Sequence, residues 1–254
     1  MKPGPTSLAR MRLDELLVAR GKFASRSRAR DAILRGTVRV DGAVAAKPGQ
    51  PVDEDAALDV QDPASGYVSR AALKLISGLD RFGVDPAGAL ALDLGASTGG
   101  FTQVLLARGA ARVIAIDVGH GQLDPALASD PRVVSIEGLN ARELAAAHLG
   151  GAQPGLVVCD VSFISLKLVL PAALALAAPG AKGVFLVKPQ FEAGRAAIGK
   201  AGMLRDPELA PQIAEDLRAW LDAQPGWQAL GLHPSPIAGS DGNREFLLAG
   251  SKDR

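Results

Sequence analysis

Hydrophobic positions change their period twice along this chain. In the first sixty residues Leu13, Leu16 and Leu17 recur at helical spacing, and a second helix is expected with Ser25 as its cap and Gly36 at its end. The pattern then alternates: Val38 and Val40 are separated by a polar residue, Asp41-Gly42 is a hairpin-turn signal, and Val44 lies beyond it. After Gly66 short continuous apolar runs take over. They predict strands near Leu90–Leu94, Arg112–Ile116, Val133–Ile136, Leu156–Cys159, Gly183–Val187, Trp227–Leu232 and Glu245–Ala249, with a helix from about Ser69 to Phe82 before the first and helical stretches in most gaps. Continuous Val, Leu and Ile runs predict a parallel sheet covered on both faces, in an α/β fold whose ligands bind beyond the carboxyl ends of the strands.

Charge divides the chain as the periodicity does. Residues 1–50 carry 11 Lys and Arg against 4 Asp and Glu, a net of +7, so the remaining 204 residues carry −6 within an overall charge of +1. The switch falls at Lys47-Pro-Gly-Gln-Pro-Val-Asp-Glu-Asp55 and the polar bridge Gln61-Asp-Pro-Ala-Ser-Gly66, which predicts a small α+β domain over 1–62 and an α/β domain over 63–254. The single cysteine, Cys159, excludes an internal disulfide and sits in an apolar run that suits a core position. His120, His148 and His233 have no ligand spacing, so no metal is expected. The longest apolar stretch, Leu168 to Ala178, is interrupted by Pro171, and the amino terminus has no apolar signal core; a cytoplasmic location follows as the expectation.

The most specific chemistry lies in Leu90-Ala-Leu-Asp-Leu-Gly-Ala-Ser-Thr-Gly-Gly-Phe101 followed by Val113-Ile-Ala-Ile-Asp117. A strand, a glycine turn and a second strand ending in a carboxylate form a nucleotide-cofactor pattern, in which Asp117 can accept ribose hydroxyls. Ser97 stands where a pyrophosphate-binding glycine would be expected, so a cofactor without phosphates fits better. S-adenosylmethionine is the candidate, with Asp93, Gly95, Ala96, Ser97, Thr98, Gly99, Gly100, Phe101 and Asp117 as its site. In the basic segment, Arg12, Lys22, Arg26, Arg28, Arg30 and Arg35 are candidate phosphate contacts.

The ordered run Arg12 to Gly42, ending Arg-Gly-x-Val-x-Val-Asp-Gly, resembles the S4 RNA-binding domain. Lys74, Asp160, Lys188 and Glu245, beside the cofactor loop, resemble the tetrad of FtsJ-type ribose 2′-O-methyltransferases. The anchors Tyr67-Val-Ser-Arg-Ala-Ala-Leu-Lys-Leu75, Asp93-Leu-Gly-Ala-Ser-Thr-Gly-Gly-Phe101, Asp160-Val-Ser-Phe-Ile-Ser165 and Val187-Lys-Pro-Gln-Phe-Glu192 extend the likeness to the hemolysin A/TlyA family over almost the whole chain. That resemblance implies a Rossmann-like seven-stranded methyltransferase fold behind an S4 domain. It also implies 2′-O-methylation of cytidine in ribosomal RNA, with ribosomal RNA or ribosomal subunits as partners and neither DNA nor membrane. In the implied mechanism Lys188 accepts the hydroxyl proton, Asp160 orients Lys188, and Glu245, whose motif is short, positions Lys74. An Asn/Asp-Pro-Pro-Tyr/Phe motif for amine methylation and a Pro-Cys nucleophile are both absent from the sequence. Two other classes remain open at this stage: an inactive ribosome-assembly factor, and a membrane-active cytolysin suggested by the family name alone.

Overall fold

The computed structural model describes residues 10–239 and 241–253, and the chain divides into two compact units between Gly66 and Tyr67. The first unit contains β1 (Arg10–Arg12), α1 (Leu13–Ala19), α2 (Arg26–Leu34), β2 (Val38–Val40), β3 (Ala43–Val44), β4 (Pro51–Asp53) and β5 (Leu58–Val60). The expected Ser25 cap is present, its side chain accepting from the Arg28 amide. Asp41 and Gly42 both take positive φ, 49° and 83°, the twist that a two-residue turn needs between β2 and β3. Leu13, Leu17, Ala29, Ala32, Ile33 and Val38 meet in one apolar core between the two helices and the sheet β3-β2-β5.

The second unit runs α3 (Ala72–Phe82), β6 (Leu90–Leu94), α4 (Gly100–Ala107), β7 (Arg112–Asp117), α5 (Pro125–Ala128), β8 (Val133–Glu137), β9 (Leu156–Cys159), α6 (Leu166–Leu176), β10 (Lys182–Val187), α7 (Pro189–Glu192), α8 (Ala210–Asp222), β11 (Trp227–Pro234) and β12 (Phe246–Lys252). Its seven strands form one sheet in the order β11-β12-β10-β9-β6-β7-β8. Successive strand residues enter opposite cores. Leu92, Leu94, Val157 and Phe185 pack with α6 and α8, whereas Ala91, Leu156, Val158 and Val184 pack with α3 and α4. Burial on both faces explains why these strands read as continuous apolar runs.

Three expectations are corrected here. The sheet is mixed, because β12 lies antiparallel to both β10 and β11. The β11–β12 connection contains no helix, and a parallel return needs a crossover of a dozen or more residues, usually through one. The helix expected from Ser69 begins at Ala72, after a series of turns. Glu245 precedes the last strand instead of opening it. Strand order reverses between β6 and β9, so the crevice at their carboxyl ends is the place where a ligand belongs.

Candidate active site

The loop after β6 is shaped by what lies behind it. Gly95 has φ +79°, and a Cβ there would come within 2.6 Å of the Asp160 carbonyl oxygen at the end of β9. Gly99 has φ +96°, and a Cβ there would run into Leu127 and Leu123. These glycines therefore permit both the tight turn and the close packing of the loop on its own neighbours. Asp117 holds the same loop from the other side, its two carboxylate oxygens accepting from the Ser97 amide at 2.8 Å and the Gly119 amide at 2.7 Å.

Asp117, Gln122, Asn140, Asp160 and Phe163 border a cleft of 510 Å³. A smaller one of 170 Å³, bordered by Ala96, Thr98, Gly100, Phe101 and Lys188, shares Gly95, Ser97, Asp160 and Ser162 with it. Asp93 lies beneath the loop, fully buried: Oδ2 accepts from the Thr102 hydroxyl at 2.7 Å, and Oδ1 has no partner among the described residues. Burial, with Asp160 and Asp117 nearby, pushes its carboxyl up to about 7, while Thr102 pulls it down. Residues 93–101 contain no Lys or Arg, and three carboxylates, Asp93, Asp117 and Asp160, surround the loop. That donor set suits S-adenosylmethionine, which carries a cationic sulfur and no phosphate, and Asp117 lines the wall of the larger cleft.

The four polar residues singled out from the sequence form two ion pairs. Lys188, directly after β10, lies 2.6 Å from Asp160 Oδ1, directly after β9. Lys74 on α3 pairs with Glu245, 171 residues away, and both side chains are buried. Burial pushes the Glu245 carboxyl up, with Lys74 pulling it back. Cys159 is buried behind Asp160, and its thiol is pushed up by desolvation, consistent with a core residue.

The arginines of the first unit are used less uniformly than expected. Arg35 is 14% exposed, and its guanidinium grips Asp62 at 2.7 and 2.9 Å and Asp31 at 3.0 Å, contacts that hold the unit together. Arg12 is bidentate to the buried Asp14 at 3.0 Å, and Arg26 joins Asp14 and Glu15. Lys22 and Arg30 are exposed, and Arg28 is half-buried.

Three contacts that the sequence did not single out fix the site. Ser162 accepts from Lys188 Nζ at 2.9 Å. Phe163, 90% exposed with φ +65°, sets its ring 5.2 Å from that of Phe191. Glu192 accepts from the Ser165 hydroxyl and from the Leu166 amide at 2.8 Å. All lie inside the motifs Asp160–Ser165 and Val187–Glu192, which signalled a site without revealing that the two segments bind each other.

Comparison with known proteins agrees with this geometry. The FtsJ-like methyltransferase family matches residues 67–252, and the S4 domain family matches residues 11–58. The chain is 47% identical over 242 residues to the 16S/23S rRNA (cytidine-2′-O)-methyltransferase TlyA of Mycobacterium tuberculosis, covering 94% of this chain and 89% of that protein. It is 39% identical to Hemolysin A of Brachyspira hyodysenteriae, covering 93% and 98%. A solved structure of a hemolysin candidate from Streptococcus thermophilus superimposes with a TM-score of 0.74 at 38% identity, covering 97% of this chain and 90% of that one. Among the described residues no helix is long and apolar enough to cross a membrane.

Proposed function

This chain belongs to the FtsJ-like methyltransferase family, and from that premise we propose that it transfers a methyl group from S-adenosylmethionine to the ribose 2′-hydroxyl of a cytidine in ribosomal RNA. The observation that carries the reading is the pairing of Lys188 with Asp160 at the junction of the two clefts, with the Lys74–Glu245 pair completing the tetrad. A sugar hydroxyl is a weak acid and needs both a positioned proton acceptor and a fixed direction of attack. Lys188 in its neutral form takes the hydroxyl proton. Asp160, an ion-pair partner 2.6 Å from the amine, stabilises the ammonium that results. Glu245 holds Lys74 in place on α3, a buried pair within electrostatic reach of Lys188 and Asp160 from outside the clefts. When bound, the cofactor supplies an electrophilic methyl on a sulfonium, held by the loop 95–101 and Asp117.

In the first unit, Lys22, Arg28 and Arg30 supply the phosphate contacts, and the exposed Phe163 ring in the second offers a face for an unstacked base. The partner is a ribosomal subunit or its RNA, and the activity is cytoplasmic. The test is a map of ribose methylation across ribosomal RNA from cells with and without the protein, followed by labelling of the same RNA with purified enzyme. A cytidine 2′-O-methyl that disappears and is restored in vitro supports the reading. An unchanged map, with no transfer to subunits or free RNA, overturns it.

A further inference from the structure

The Lys188 amine has one hydrogen-bond acceptor, Ser162, beside its ion-pair partner Asp160. Its three N–H directions are tetrahedral about the Cε–Nζ bond, so a hydrogen-bond acceptor sets the rotation about that bond, which a neighbouring charge alone leaves loose. Ser162 Oγ accepts at 2.9 Å, whereas Asp160 Oδ1, 2.6 Å away, is an ion-pair contact without hydrogen-bond geometry; both lie on the short segment after β9. Ser162 is itself held from both sides. The Asp160 amide donates to the Leu94 carbonyl at 3.0 Å, and beyond Ser162 the Phe163–Phe191 ring contact and the Glu192 bonds tie the segment to α7. Ser162 also borders both clefts, and Lys188 borders the smaller of them.

We propose that Ser162 is a positioning residue for methyl transfer, fixing the Lys188 amine so that its remaining position faces the substrate hydroxyl. This rests on Lys188 being the proton acceptor. When the 2′-hydroxyl gives up its proton, the O–H bond breaks and an N–H bond forms at that remaining position. The oxygen lone pair takes the methyl, and the sulfur keeps the electrons of the broken C–S bond. The other groups that bear on the amine are Asp160 and Cys159 at the end of β9, Glu245 before β12 with its partner Lys74 on α3, and Asp93 beneath Asp160. None of them replaces the lost hydroxyl acceptor, because Asp160 is already engaged and Glu245 is engaged by Lys74.

The experiment compares single-turnover methylation rates and KM for the wild type, Ser162→Ala, Ser162→Thr and Lys188→Ala, with melting temperatures to verify folding. Ser162→Ala should lose about tenfold in rate, the order of one lost hydrogen bond, with KM nearly unchanged. Ser162→Thr, which keeps the hydroxyl, should recover the rate. A Ser162→Ala rate within twofold of the wild type, or a Ser162→Thr rate as low as that of Ser162→Ala, overturns the role of Ser162. A Lys188→Ala rate within tenfold of the wild type overturns the assignment of Lys188 as the acceptor, a separate failure read from a separate variant.

Discussion

The two lysine–carboxylate pairs of the second unit are alike in chemistry and opposite in setting. Lys74 and Glu245 are 7% and 3% exposed and border neither of the two clefts described, so their pairing is a condition of burying them at all. Lys188 and Asp160 are 11% and 16% exposed and sit at the clefts, with Ser162 sharing the amine. The first pair is held by its own charges. The second is held by its neighbours, and this frees one position of the amine for chemistry. The comparison teaches that the same residue types are held by mutual burial in one case and by neighbours at a cleft in the other, and variants should separate the two.

The largest expected effect is on turnover. Lys188→Ala should lower the methylation rate by about 10²–10⁴-fold, the usual contribution of a general base, while shifting the melting temperature little. Single-turnover kinetics and calorimetric titration with S-adenosylmethionine would check this. A rate within tenfold of the wild type would remove the amine from the reaction.

Breaking the sealed pair should instead be visible in stability. Lys74→Met leaves Glu245 buried without its cation, a change that typically costs about 3 kcal/mol or more. For a unit of this size, that is a fall in melting temperature of roughly 6–12 °C. The double variant Lys74→Met/Glu245→Leu should regain most of the loss yet remain slow, because an apolar pair packs but carries no charge to the site. A single variant that melts like the wild type would place the pair outside the stability of the fold.

Asp93 gives the comparison a pH axis. Its folded carboxyl is raised to about 7, above the ordinary value of 3.8, so between those values the folded state binds more protons than the unfolded one. Its contribution to stability is therefore greatest at low pH and declines as pH rises through that window, by up to roughly 4 kcal/mol from the shift alone. Asp93→Asn should flatten this decline relative to the wild type between about pH 4 and 7. Denaturant unfolding across that range would check it, and parallel curves for the two proteins would contradict the buried-acid assignment.

Much of this was legible in the sequence for a physical reason: the periodicity of a strand or helix, and the residues that must end it, are local. The α2 cap at Ser25, the turn at Asp41-Gly42 and all seven strands of the second unit are present. What escaped depends on partners far along the chain. The reversal of β12 is set by a connection without a crossover helix, and apolar alternation does not record strand direction. Arg35 reads as a candidate phosphate contact, and its grip on Asp62, 27 residues away, appears only in the folded chain. Gly95 and Gly99 read as a tight turn near a ligand, and the Asp160 carbonyl and Leu127 behind them likewise appear only there. The tetrad residues were identifiable by type and motif, but their division into a sealed pair and an open pair appears only in three dimensions.

The smallest expected effect tests how the open pair is held. Glu192 ties α7, which follows Lys188, to the start of α6, which follows the Asp160–Ser165 segment, by accepting from Ser165 and Leu166. Glu192→Gln keeps one carbonyl oxygen for the Leu166 amide and can reorganise its bond to Ser165, so it should cost only about 1 kcal/mol in stability. Because the Phe163–Phe191 contact, the Lys188–Asp160 ion pair and the Lys188–Ser162 hydrogen bond remain, turnover should fall by no more than about threefold. Melting curves and single-turnover rates would measure both. A loss of tenfold or more would mean that one carboxylate, instead of several shared contacts, sets the geometry of the amine, and the open pair would then be as dependent on a single partner as the sealed one.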